Sequence, residues 1–144
     1  MKLYLDTSAL VKLYVDEEGS ALVRSGVGGA EIVATSEIAY LETRSALARR
    51  RREKVFSPAS YRQLVEEFEA DWDRYLTVST TMSLLRGAAA LAERYPLRAY
   101  DALHLASARL LRGNTELDAV TFATWDGALE HAASREGFAL LRGT

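Results

Sequence analysis

The sequence predicts an α/β fold of three layers, with a parallel sheet between two layers of helices. Short β-forming runs alternate with longer stretches of helical periodicity, and strands separated by helices pair in parallel through crossovers. The strand candidates are short and largely apolar, as expected where helices cover both faces of a sheet. No repeat, low-complexity tract or composition shift marks a boundary. The 144 residues, 49% hydrophobic, suit one domain with its own core over residues 1–144.

Each element follows from local signals. Lys2 to Leu5 reads as the first strand, followed by a helix from Ser8 to about Val15. Ser20 to Ser25 forms a second helix that Gly26, Gly28 and Gly29 are expected to end. Glu31 to Ala34 is the next strand, after which Ser36 caps a long helix running through Glu42 to about Arg52. Ser57-Pro58 restarts a helix with Ser as cap and Pro in its first turn. Its apolar stripe comprises Tyr61, Leu64, Val65, Phe68, Trp72 and Tyr75. Leu76 to Ser79 is a strand, and Thr80 or Thr81 opens a helix that ends near Tyr95-Pro96. Arg98 to Leu111 is helical, stopped by Gly113-Asn114. Ala119 to Thr124 is a strand, Asp126 opens a helix, and Phe138 to Leu141 is the final strand.

Composition narrows the chemistry. The chain has no Cys, which removes disulfides, thiolate zinc sites and cysteine nucleophiles together. It has two His, too few for a His-rich metal site. Any metal is therefore bound mainly by oxygen, which points to a hard cation such as Mg²⁺ or Mn²⁺. Asp6 interrupts what would be the apolar core of a signal peptide. No run approaches the roughly 18 apolar residues that cross a bilayer. The chain is thus expected to be soluble and cytoplasmic, with no membrane partner. Its net charge of −2 gives no overall attraction to nucleic acid, so an RNA substrate would depend on metal ions and local basic patches.

Of the 20 acidic residues, Asp16, Glu17, Glu18, Glu66, Glu67, Glu69, Asp71 and Asp73 fit solvated helix faces or termini. Four others strain such a reading. Asp6 and Asp126 each follow a strand and open a helix, the edge of an open parallel sheet where ligands bind. Each also suits a plain helix cap. Asp101 shares a stripe with Leu105 and Ala108 on a helix that is apolar nearly all round, which normally means burial. A lone buried carboxylate is costly unless paired, protonated or bound to metal, and Arg98, one turn earlier, offers an ion pair. Glu42 lies between Ile38 and Ala46 on an apolar side of its helix, with Arg49 and Ser45 as structural partners in reach. Four carboxylates at one spot cannot all stay ionised without cations. Mg²⁺ or Mn²⁺, taking one or two carboxylates each, resolves the repulsion and can activate water for attack on phosphorus. Spacing alone leaves the reaction open.

At these residues the sequence resembles the PIN-domain family, and within it the VapC toxins of prokaryotic toxin–antitoxin pairs. The matching segments are Leu3 to Tyr14, Ser36 to Glu42, Leu97 to Ala106 and Thr121 to Asp126, in the family's order and across nearly the whole chain. The resemblance implies a five-stranded parallel sheet between helices and Mg²⁺- or Mn²⁺-dependent cleavage of single-stranded or looped RNA. By motif position it makes Asp6, Glu42, Asp101 and Asp126 the catalytic and metal-site acids, with Ser8 and Thr124 as supporting polar neighbours. It further implies a VapB-like antitoxin partner and a homodimer. Many relatives carry a basic residue after the fourth acid, where this chain has Gly127.

Arg49, Arg50, Arg51 and Arg52 form the chain's basic run, which suits a helix C-terminus and also contact with RNA or an acidic partner. The Tyr61–Tyr75 stripe reads as core, where the resemblance suggests a groove for an antitoxin helix or a homodimer face. His104, one turn after Asp101, reads as a hydrogen-bonded packing residue, and Trp72 and Trp125 as packing residues too. Two rivals to a metal-dependent endoribonuclease stand beside it. One is a non-catalytic PIN-like module that binds RNA or protein. The other is an acidic-pocket phosphatase, which needs a second Asp two residues after the first, where this chain has Ser8, or a Lys after a late strand.

Overall fold

A computed structural model describes residues 1–112 and 119–143. Its strands are β1 Lys2–Leu5, β2 Ile32–Ser36, β3 Leu76–Val78, β4 Val120–Ala123 and β5 Ala139–Leu140. Its helices, among the described residues, are α1 Thr7–Val11, α2 Ser20–Gly29, α3 Ile38–Arg52, α4 Pro58–Trp72, α5 Met82–Arg94, α6 Ala99–Leu111 and α7 Gly127–Arg135. The strands form one sheet in the order β3-β2-β1-β4-β5, and every neighbouring pair is parallel. This is the expected sandwich, and its two cores divide by strand alternation. Tyr4 joins Val78, Phe122 and the apolar sides of α5, α6 and α7 on one face. Leu3, Leu5 and Ala123 join residues of α1, α2, α3 and α4 on the other. Among the described residues no helix is long and apolar enough to cross a membrane.

The strand order positions the site. From β1 the chain steps outward to β2 and β3, then returns to β4 on the other flank of β1. Between β1 and β4 the order reverses, and in open α/β sheets ligands bind at such a switch point, beyond the strands' carboxyl ends. Those ends are level: Leu5 pairs with Ala123, and the Asp6 amide donates to the Ala123 carbonyl at 3.1 Å.

Several boundaries differ from the sequence expectation, each for a local reason. The first helix ends at Val11, because Lys12, Leu13 and Tyr14 bond three residues back and wind into tighter turns. The glycines do not end α2, which runs to Gly29. Gly26 is instead a point of close packing, where a Cβ would stand 3.1 Å from a methyl of Leu141 and 3.3 Å from one of Leu3. Strand β2 continues to Ser36, so the cap position falls on Glu37. Strand β5 is shortened to two residues. The expected stop at Gly113-Asn114 lies outside the described residues. In the α4 stripe Phe68 is fully buried, while Tyr61, Leu64, Trp72 and Tyr75 are half-buried against the same core. Phe68 meets Tyr14 edge-on at 5.3 Å and stacks with Tyr40 at 5.7 Å, joining α4 to α3 and to the turn after α1.

Replacing Phe68 with Ala removes the ring on which these three segments meet. The expected cost is ~3–5 kcal/mol in chemical denaturation. A loss below about 1 kcal/mol, the ordinary effect of a point mutation, would show that Phe68 does not anchor the layer.

Candidate metal centre

Asp6 leaves the end of β1 and caps α1, its Oδ1 accepting the Ala9 amide at 2.9 Å. The Ser8 hydroxyl donates to the same oxygen at 2.7 Å, and the Thr124 hydroxyl donates to Oδ2 at 2.5 Å. Ser8 and Thr124 also take the amides of Trp125 and Asp126. These two hydroxyls therefore stitch the loop after β1 to the loop after β4. Trp125 is fixed beside them by the Lys12 ammonium, 4.9 Å from its ring centre, and by Gly19. Gly19 has φ +91°, and a Cβ there would meet the indole at 2.5 Å. Asp6 is 3% exposed. Burial pushes its carboxyl above the ordinary value, and the field of His104 with the three hydrogen bonds only partly opposes that.

Glu42 projects from α3 and is held from two other helices. The Thr7 hydroxyl donates to Oε1 at 2.7 Å, and His104 Nε2 lies 2.9 Å from the same oxygen. An ionised carboxylate only accepts, so Nε2 donates to it, while Nδ1 is hydrogen-bonded with the Tyr4 hydroxyl at 2.7 Å. Burial works against ionised Glu42 as well. The bond and field of His104, the Thr7 hydroxyl and the Arg98 charge outweigh it, and the carboxyl lies below its ordinary value. The structural partner expected at Arg49 makes no bond to Glu42. The packing role expected for His104 is observed, and it serves Glu42.

Asp101 sits in the first turn of α6, where the helix dipole favours an anion. Its Oδ2 accepts Arg98 Nε at 2.9 Å, the ion pair that their spacing allows. Asp126 caps α7, with Oδ1 accepting the Leu129 amide at 2.9 Å. Its Oδ2 accepts Nη2 of the same Arg98, also at 2.9 Å.

All four acids line one open cleft of about 240 Å³, together with Thr7, Ser8, Arg98, His104 and Trp125. The convergence expected from strand ends and helix faces is thus present. Thr7 and the second contact of Arg98 were missed, because both depend on tertiary neighbours and not on spacing along one helix. A second groove of about 350 Å³ shares Thr7 and Ser8 and continues past Lys12 to Arg49 and Arg50. Arg50 pairs with Glu17 at 3.0 Å, Arg51 lies over the Tyr61 ring at 5.1 Å, and Arg52 is exposed. Beyond Gly127 there is open space, with no atom within 4 Å of where its Cβ would be.

The donor set is all carboxylate oxygen, which suits a hard divalent cation. Glu42 Oε2 and Asp101 Oδ1 accept no hydrogen bond among the described residues and are left open to such an ion. Among the described residues, however, no three Asp, Glu or His side chains stand close enough to ligate one ion as they are arranged. Arg98 occupies the space between two of them. The donor chemistry suits a divalent ion, and holding one requires the carboxylates to draw closer together as this guanidinium gives way.

Comparisons with known proteins find relatives in sequence and in fold. The family model described as PIN domain matches residues 3–133. A relative named Ribonuclease VapC45, from Mycobacterium tuberculosis, is 34% identical over 134 residues, covering 93% of this chain and 90% of its own. The crystal structure of FitAcB from Neisseria gonorrhoeae superposes with a TM-score of 0.64 at 19% identity, covering 97% of this chain and 96% of that one. A toxin-antitoxin complex from Klebsiella pneumoniae gives 0.62 at 16% identity, with 86% of each chain covered.

The buried Asp6 carboxylate sets a pH dependence. Its raised folded value means that the fold holds the proton more tightly than the unfolded chain does. Ionised Asp6 therefore destabilises the metal-free protein above that value, and the penalty disappears as pH falls below the ordinary aspartate value. Asp6→Asn is expected to melt higher than wild type at pH 7 in chelator, with the gain shrinking toward acid pH. A lower Tm for the variant at neutral pH would contradict this.

Proposed function

This chain belongs to the PIN-domain family, and we propose from that premise that its acidic cleft cuts RNA as the toxin of a VapBC-type toxin–antitoxin pair. The proposed enzyme is a divalent-metal-dependent endoribonuclease, with residues 1–144 as a single PIN-like nuclease domain working in the cytoplasm. One observation carries it: four acids from four separate elements line one cleft at the strand ends. The relative named a ribonuclease, which spans 93% of the chain, supports RNA as the substrate. Likeness to a toxin-antitoxin complex supports a VapB-like antitoxin as partner. The proposed homodimer would bury exposed apolar side chains such as Leu85, Tyr100 or Leu110 on α5 and α6.

Asp6, Glu42, Asp101 and Asp126 would hold Mg²⁺ or Mn²⁺ and form the catalytic centre. Such an ion would supply the charge that readies a water for in-line attack on the phosphodiester and offsets the leaving oxygen. The chain's own residues prepare this. Ser8 and Thr124 lock Asp6 in place, and Thr7 and His104 keep Glu42 ionised and oriented. Arg49 and Arg50, in the groove that continues from Thr7 and Ser8, offer the RNA backbone a basic track away from the cleft. Arg51 and Arg52 lie further along the same helix.

A non-catalytic module is the second reading, favoured by the pairing of Arg98 with both Asp101 and Asp126, which satisfies those acids without metal. Calorimetric Mn²⁺ binding and RNA cleavage separate the two. Wild type is expected to bind Mn²⁺ and cut RNA. Asp101→Asn should lose the binding and at least about 100-fold in cleavage rate, as befits several kcal/mol of lost charge stabilisation. Equal binding and cleavage by the folded variant would favour structural acids.

A further inference from the structure

We propose that Arg98 is the resident counter-cation of the acidic cleft, and that a divalent ion enters by displacing its guanidinium from Asp101 and Asp126. The proposal rests on the reading of the cleft as a metal site and adds what sets its affinity.

One guanidinium reaches two carboxylates from two different elements. Nε lies 2.9 Å from Asp101 Oδ2 on α6, and Nη2 lies 2.9 Å from Asp126 Oδ2 at the start of α7. Its charge also helps hold Glu42 ionised. A single residue thus offsets three of the four acids. A carboxylate oxygen that accepts a charge-assisted bond from arginine is closed to direct ligation by a metal at the same lone pairs. The competition is sharpest at Asp126, where Oδ1 already accepts the Leu129 amide and Arg98 holds Oδ2, while at Asp101 the two cations share one carboxylate.

The surroundings favour exchange over permanence. The Arg98 side chain is 78% exposed, whereas those of Asp101 and Asp126 are 14% and 26% exposed. The cation sits like a cover over acids that are mostly shielded; its own charge can withdraw into water, and the incoming ion takes over the two carboxylates it leaves. Arginine stays protonated at every physiological pH, so it leaves only by movement and not by losing its proton. The start of α6 does not depend on it, since Arg98 occupies the cap position without a side-chain capping bond.

The experiment is calorimetric titration of Mn²⁺ into wild type, Arg98→Ala, Arg109→Ala and Asp101→Asn, at ~0.15 M salt, with circular dichroism to confirm folding. Arg109 lies about 12 Å beyond Asp101 along α6, outside the ~8 Å screening length, and pairs with Glu136. It controls for simple loss of a positive charge. Arg98→Ala is expected to bind Mn²⁺ about fivefold tighter or more, since two exposed ion pairs no longer compete. Arg109→Ala should stay within about twofold of wild type. Unchanged or weaker binding in Arg98→Ala, or an equal gain in Arg109→Ala, overturns the proposal. If wild type binds and Asp101→Asn does not, such a failure leaves the metal reading intact. No binding in wild type or in Arg98→Ala overturns both.

Discussion

Placing the Asp6 carboxylate at the end of the central strand, almost out of contact with water, is the constraint around which the rest of the site is arranged. Burial disfavours its charge, and the fold answers with donors on every side. The Ala9 amide and the Ser8 hydroxyl both come from the first turn of the helix that Asp6 itself begins. The Thr124 hydroxyl comes from the far side of the switch point. The same two hydroxyls take amides from the β4 loop, so the bonds that position Asp6 also set where Trp125 and Asp126 stand. A carboxylate that is expensive to bury thereby becomes the joint between two halves of the sheet.

The other acids divide by how they are satisfied. Glu42 is held from inside, through Thr7 and through the chain from Tyr4 to His104 that reaches into the core beneath β1. Asp101 and Asp126 are held from outside, by one arginine standing largely in solvent. The inner pair is therefore preorganised by packed groups that cannot rearrange cheaply, whereas the outer pair rests on a contact that can be exchanged. A fixed wall facing an adjustable one is a sensible division in a cleft proposed to admit a cation and release a product.

Much of this was legible in the sequence where the signal is local. Ser57, Thr81 and Asp126 are each the cap that their residue type announces, with the side chain accepting an amide three residues on. The strands were visible as apolar runs, and the rule that strand ends bear ligands correctly gathered Asp6 and Asp126. The Arg98–Asp101 pair was visible because it lies within one turn. What could not be read depends on neighbours distant in the chain. Gly26 looks like a helix stop until Leu141 and Leu3 are seen pressing on it. Glu42 has Arg49 in line on its own helix, yet its partners come from α1 and α6. The reach of Arg98 to Asp126 follows from how α6 and α7 pack, and no spacing along the chain encodes it.

The position of β1 has a bearing on how the molecule is made. Its flanking neighbour β2 follows within a few tens of residues, but β4, on its other side, begins at Val120. During synthesis on the ribosome, emerging at about 5–20 residues per second, the central strand waits several seconds with one edge open. The bond from Thr124 that completes the Asp6 pocket spans nearly the whole chain. Pairing across such a distance is slow to form, and an unpaired apolar edge invites association with other chains meanwhile. By the same topology the cleft is assembled only after Asp126, the last of its acids in the chain, has emerged.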